Sequence, residues 1–162
     1  MLFAVMEWLR GQGVRVLLQS SLRPVVEANS GGIRFLRPPK DVSGRRFFTG
    51  QMLRFRLVAN PTKKIRDANN PNRAIRVPHV GEDHRIAWLQ RKLDGAAKLV
   101  EAATVPERPW YFAKKGMHGK IQAVTYTGIL EVRDAIGFEN LLKNGIGPAK
   151  GLGCGLMLVA KV

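Results

Sequence analysis

Five glycines fall between Gly145 and Gly155, in the run Gly-Ile-Gly-Pro-Ala-Lys-Gly-Leu-Gly-Cys-Gly. Glycine at that density gives up conformational entropy for a backbone that turns sharply and admits close approach. The segment before the run reads as a helix, with Asp134 as N-cap and Phe138, Leu141 and Leu142 at i, i+3 and i+4. The apolar stretch after it, Leu156–Val159, reads as a strand. A dinucleotide-binding loop runs strand, glycines, helix, and needs a third glycine where Lys150 stands. A Walker loop ends in Gly-Lys-Ser/Thr, which this run lacks. Two readings remain. One is a loop that meets a nucleic-acid backbone, with Lys150 in it; the other is a tight helix cap and bulge without a ligand. Spacing alone does not choose between them.

Charge narrows the partner. The 162 residues carry 27 Lys+Arg against 12 Asp+Glu, a formal net charge of +15. Such a surplus points to polyanions, above all RNA or DNA. With 45% hydrophobic residues the chain can bury one or two small cores. No apolar run reaches the roughly 18 residues of a membrane span, so no membrane partner is expected. Met1–Leu9 is apolar but contains Glu7 and lacks a basic leader, which makes a poor signal peptide. The single cysteine, Cys154, can form no internal disulfide, fits a reducing cytoplasm and excludes a multi-cysteine zinc site. Neither a metal nor a cofactor is expected.

The surplus is placed rather than spread. Residues 50–80 hold seven basic groups and one acidic, whereas residues 81–110 hold five of each. Met1–Leu9 and Val14–Ser20 are apolar, β-branched runs around Gly11-Gln12-Gly13, which predicts a β-hairpin. Pro24–Gly50, rich in Gly, Pro and Arg, reads as irregular. Leu53, Phe55, Leu57 and Ala59 alternate with Arg54, Arg56 and Val58, a strand with one apolar face. It ends at Asn60-Pro61, and Lys63, Lys64, Arg66, Arg73 and Arg76 come next in a segment that reads as a loop. Asp83 is then expected to cap a helix whose apolar face steps through Ile86, Leu89, Leu93, Ala97 and Val100. A strand from Trp110, a turn at Gly116–Gly119 and a long strand Ile121–Val132 complete the middle. From residue 50 the order is β-α-β-β-α-β, the split βαβ pattern of ferredoxin-like folds. The expectation is an α+β protein, with residues 50–162 a complete domain and residues 1–49 a hairpin and linker.

Two basic elements are candidates for contact with nucleic acid. The first is the segment with Lys63, Lys64 and Arg66. The second is a hairpin tip presenting Lys114, Lys115 and Lys120. A two-stranded ribbon can enter a groove, where lysines hold phosphates without reading sequence. Lysines also blunt exposed strand edges without any ligand. His79, His84 and His118 read as ordinary surface or capping residues, with His118 nearest any bound RNA. Trp8, Trp88 and Trp110 read as core, although Trp110-Tyr111-Phe112 beside the lysines could stack a flipped base.

Several tracts together resemble a known family. They are Phe55-Arg-Leu-Val-Ala-Asn-Pro-Thr-Lys-Lys, Trp88-Leu89, Thr127-Gly-Ile-Leu-Glu-Val and, above all, Gly145-Ile-Gly-Pro-Ala-Lys-Gly-Leu-Gly-Cys-Gly-Leu. With Val16-Leu-Leu-Gln-Ser and Arg23-Pro24 they are similar to the CasE family, the CRISPR-RNA-processing endoribonucleases of type I-E Cascade. The resemblance implies tandem ferredoxin-like (RRM-like) domains, of which residues 1–49 are an incomplete first. It implies a protein that grips the stem-loop of a CRISPR repeat RNA alongside other Cascade subunits. It also implies cleavage at the 3′ base of that stem without metal, by attack of a ribose 2′-hydroxyl with histidine assistance. Lys114, Lys115 and Lys120 match the family's stem-engaging hairpin, and Lys63 and Lys64 its basic segment after the Asn-Pro strand. The family's catalytic histidine and tyrosine lie on a helix ahead of the point that matches Met1. No position of this chain receives either, so repeat RNA is expected to be bound but cut poorly by these 162 residues. The alternatives are a structural RNA-binding protein of the ribosome-associated type, or a nucleotide-using enzyme built on the glycine loop.

Overall fold

Strand pairing at the start of the chain follows the hydrophobic runs. The structure, a computed structural model, describes residues 1–9, 11, 13–25, 31–68, 70–114 and 117–162; at 8, 9, 71, 73, 112–114, 117 and 118 it describes backbone alone. Strands β1 (Leu2–Leu9) and β2 (Gly13–Gln19) form the expected antiparallel hairpin, with a register shift between Val5 and Glu7. The described residues between 20 and 51 form no helix or strand, also as expected. The end of that stretch is nevertheless docked. The Phe47 ring meets Phe138 edge-on at 5.1 Å, and backbone bonds tie Gly50 and Gln51 to Val132.

The third strand, β3 (Met52–Ala59), buries Leu53, Phe55, Leu57 and Ala59 and exposes Arg54 and Arg56. After it come β4 (Thr62–Asp67) and β5 (Asn70–Pro78), then α1 (Glu82–Leu93) and β6 (Ala97–Pro106). A hairpin of β7 (Trp110–Lys114) and β8 (Met117–Ile121) precedes β9 (Val124–Val132). The chain closes with α2 (Ala135–Asn144), a 3-10 turn at Lys150–Leu152 and β10 (Met157–Lys161). Four strands make one antiparallel sheet in the order β10-β3-β9-β6. The helices cover it: Trp88, Leu89 and Leu93 of α1 and Phe138 of α2 join the buried residues of β3 and β9 in one core. Burying each large apolar side chain contributes about 1.5–3 kcal/mol, so this core holds the sheet and helices in register. Leu2 and Ala4 of β1 pack on Leu156 in a second, smaller cluster.

Three expectations need correcting. Residues 62–78 are not a loop but a paired ribbon, in which Ile65 opposes Ile75 and Lys64 opposes Arg76. Lysine, arginine, asparagine and proline hid the period, while Thr62, Ile65, Ile75 and Val77 supply its β-forming residues. The first helix ends at Leu93, and Gly95 turns the chain at φ +77°. Ala97 and Val100 therefore lie in β6; their spacing from Leu93 happens to continue a helical period. The Trp110–Ile121 segment is a separate two-stranded ribbon outside the central sheet, and Gly119, expected in a turn, pairs with Phe112 inside it. The central strand begins at Val124 rather than Ile121. The β-α-β-β-α-β order survives, but its second strand is β6.

The caps divide in the same way. Asp134 caps α2 as expected, its Oδ1 accepting the Ile136 N–H at 3.0 Å. The cap of α1 is Gly81, not Asp83, and no side chain bonds there. Asp83 sits instead with Glu82 in the first turn, where acidic groups favour the positive end of the helix dipole.

Candidate nucleic-acid interface

The glycine loop is set by packing at four of its five glycines. Gly145 ends α2, donating its N–H to the Leu141 carbonyl at 2.8 Å with φ +72°. Gly147, Gly153 and Gly155 also have positive φ. A Cβ at Gly145 would lie 2.8 Å from the Leu2 side chain, and one at Gly147 2.8 Å from the Trp88 ring. At Gly153 it would press on Phe3 at 3.1 Å, and at Gly155 on the Ile146 carbonyl oxygen at 2.9 Å. Positive φ and an occupied Cβ position thus account for these four without a ligand. Gly151 differs: it lies in the 3-10 turn, and a Cβ there would meet nothing within 4 Å. Beside it, the Lys150 Nζ donates to the Asn144 carbonyl at 2.7 Å, bridging the loop to the end of α2. Cys154 is buried, and burial pushes its thiol up to about 11.

The β4–β5 ribbon is the opposite kind of surface. In an antiparallel pair directly opposed side chains share a face and alternate residues lie on the other. Register therefore puts Lys64, Arg66 and Arg76 on one face and Lys63 with Val77 on the other. Lys63, Lys64 and Arg66 are all exposed. Among the described residues no ion pair involves them or Arg76. The Arg76 guanidinium makes one marginal contact, Nη1 to Thr62 Oγ1 at 3.5 Å.

The second ribbon supplies an aromatic as well as charge. Lys120 opposes Tyr111, and its Nζ stands 5.8 Å from the Tyr111 ring centroid, within cation–π range. Tyr111 is 75% exposed, so its other face is open to a base. Lys114 ends β7 with its backbone paired to Met117, and its side chain lies outside the described set. Lys115 falls outside the described residues altogether, as does the His118 side chain. Trp88 is core, as expected, stacked on Tyr126 at 6.1 Å. Trp110 is half-buried against Ile121, Ala123 and Cys154, and the Trp8 side chain lies outside the described set.

Two histidines are placed. His79 is half-buried; desolvation, then Arg91, Lys63 and His84, hold its imidazole below the ordinary value. His84 is exposed, with Nδ1 3.1 Å from the Val80 carbonyl and its ring 6.3 Å from that of His79. Sequence reasoning missed one cation, Lys92. It lines, with Arg76 and Lys150, an open cleft of about 410 Å³ beside Gly145 and Gly147. The only signal for it was its place in the last turn of a helix. Among the described residues no helix is long and apolar enough to cross a membrane.

Known proteins share this architecture along nearly the whole chain. A family model described as CRISPR associated protein matches residues 1–161. The CRISPR system Cascade subunit CasE of Escherichia coli K12 is 40% identical over 155 residues, 92% of this chain and 75% of that protein. The crystal structure of Cas6e from Escherichia coli K-12 matches with a TM-score of 0.85, at 40% identity, over 99% of this chain and 84% of that one. The CRISPR-associated endoribonuclease Cse3 of Thermus thermophilus is 33% identical over 158 residues, 90% of this chain and 72% of that protein. A structure of Thermus thermophilus Cse3 bound to an RNA representing a pre-cleavage complex matches with a TM-score of 0.69. Its identity is 30%, over 98% of this chain and 77% of that one. Matched end to end in both sequence and fold, the chain belongs to the CRISPR-associated protein family.

Proposed function

We propose that this chain binds the stem-loop of a CRISPR repeat RNA as a subunit of a Cascade complex in the cytoplasm. The observation that carries this is the β4–β5 ribbon. It holds exposed cations with no carboxylate partner among the described residues, in a chain whose relative Cse3 is solved on RNA. Charge left unpaired on a surface is the footprint of a polyanion. The second ribbon, with Lys114, Lys115 and Lys120, would lie along the stem, and Tyr111 offers a stacking face. Lys150 and Gly151 are the outward features of the glycine loop. On this reading residues 50–162 form a ferredoxin-like domain and residues 1–49 contribute part of a second, RRM-like unit. The strand order β10-β3-β9-β6 with two covering helices supports the first assignment.

Cleavage is the second half of the reading. The endoribonuclease Cse3 acts on RNA, and the resemblance implies 2′-hydroxyl attack with general acid–base help. No residue of this chain is assigned as that acid or base. His79 is held toward its neutral form by desolvation and neighbouring cations, and His84 keeps Nδ1 against a carbonyl. The relatives give no support to a ribosome-associated or nucleotide-using protein. The deciding experiment titrates the chain with a repeat hairpin and with a scrambled duplex of equal length, then runs the RNA on a denaturing gel with EDTA present. Preference for the hairpin supports the proposal; equal affinity for both RNAs refutes it. Single-site cutting in EDTA would assign the reaction to these residues.

A further inference from the structure

The cleft of about 410 Å³ between the β4–β5 ribbon and the glycine loop gathers charge from three separate elements. Arg76 comes from β5, Lys92 from the last turn of α1 and Lys150 from the loop. Its volume falls within the roughly 300–1,000 Å³ of small-ligand sites, and it is open to solvent. Among the described residues no carboxylate lines it or pairs with any of the three cations. The Lys150 ammonium is already anchored on the Asn144 carbonyl, which fixes its position and leaves two N–H groups free. Arg76 has one long contact to Thr62, so most of its five-donor fork is unengaged.

A structural role explains part of this. Lys92 and Lys150 stand near the C-terminal ends of α1 and α2, where cations complement the helix dipole. It does not explain Arg76, which reaches the same cleft from a different element. Three like charges around one opening repel one another unless an anion sits among them.

We propose that this cleft holds one phosphodiester of the bound RNA, gripped by the Arg76 fork and by Lys92 and Lys150 as point charges. Lys64 and Arg66 share the ribbon face with Arg76, so a strand leaving the cleft continues along that face. The inference rests on the RNA-binding reading above. The phosphate belongs either to the duplex stem or to a single-stranded flank, and the test separates the two.

Full-length chain and the double variant Arg76→Gln/Lys92→Gln are titrated with a repeat hairpin, bare or with single-stranded flanks, across a salt series. The double variant should lose roughly tenfold or more in affinity. The slope of log K against log salt should flatten by about 0.7–0.9, the one phosphate contact that the cleft makes. Loss on both RNAs places a stem phosphate in the cleft; loss on the flanked RNA alone places a flank phosphate there. Arg76→Lys keeps charge and removes the fork, so it should lose affinity with its slope nearly kept, an effect that folding does not produce. If wild type binds while both variants keep its affinity and slope, the inference is overturned and RNA binding stands. If wild type binds neither RNA, the functional reading itself fails.

Discussion

The glycine loop and the β4–β5 ribbon both stand out in the sequence, and the fold treats them in opposite ways. Within the loop, Gly145, Gly147, Gly153 and Gly155 are held at positive φ with Leu2, Trp88, Phe3 and the Ile146 carbonyl where a side chain would go. Their rarity as a cluster comes from building a turn between α2 and β10 under another hairpin. On the ribbon, Lys63, Lys64, Arg66 and Arg76 make no ion pair among the described residues, and exposed side chains cover both faces. Packing accounts for four of the five glycines; among the described residues no ion pair accounts for the ribbon's charges. An enriched residue type therefore points to a ligand only where the fold leaves its chemistry unengaged.

The sharpest way to break that contrast is Gly155→Ala. Its Cβ would lie 2.9 Å from a backbone oxygen, at φ +93°, and Gly155 also bonds Val58 and Ile146 through its own backbone. Neither partner can swing away as a flexible side chain could. The expected cost is about 2–4 kcal/mol, or a fall in Tm of roughly 5–15 °C. RNA affinity per folded molecule should fall far less than stability, and only through Lys150, whose Cγ lies 3.3 Å from the added Cβ. A Tm that holds while affinity collapses would make the loop a binding element and undo the comparison.

From the other side, Lys63→Ala/Lys64→Ala/Arg66→Ala should leave Tm nearly alone, within about 0.5 kcal/mol, because exposed unpaired charges contribute little to folding. Its affinity for repeat hairpin should fall on the order of 10–100-fold, with a salt slope flatter by about 2–3. An unchanged slope removes the ribbon from the interface. A smaller effect is expected at Gly151, the loop's one unconstrained glycine. Gly151→Ala has open space for its methyl, so stability should hold or rise by roughly a few tenths of a kcal/mol. Reduced affinity there, with Tm intact, would mark the point where the loop backbone meets RNA.

Legibility in the sequence divides along the same line. The alternation in β3 and the Asp134 cap are local signals, and both appear in the structure as expected. The ribbon was missed because its β-branched residues are interrupted by charge, asparagine and proline, so its pairing is a tertiary fact. The boundary between α1 and β6 was missed because Ala97 and Val100 keep helical spacing across the turn at Gly95. Lys63, Lys64 and Arg66 were legible as candidates from charge density alone. Lys92 was not, because only the fold brings α1, β5 and the glycine loop to one cleft. Nor did glycine density disclose that Leu2 and Phe3, at the opposite end of the chain, set where the loop must stay bare.

The smallest expected effect tests whether the ribbon's charges act beyond their own strands. His79 is held below its ordinary pKa by desolvation first, then by Arg91, Lys63 and His84. A folded-state pKa below the unfolded one means the neutral imidazole favours folding. That contribution is present above the unfolded pKa of 6.5 and is lost as pH falls through the lower folded value. Lys63→Ala removes one repelling cation, so the His79 titration followed by NMR should move upward, back toward 6.5, without reaching it, because desolvation and Arg91 remain. RNA binding should move it in the same direction, since a phosphate beside Lys63 offsets the same charge. If bound RNA shifts His79 down instead, burial outweighs the phosphate and the ribbon face carrying Lys63 is turned away from the backbone. If it leaves His79 where it was, the strand tracks only the face of Lys64, Arg66 and Arg76.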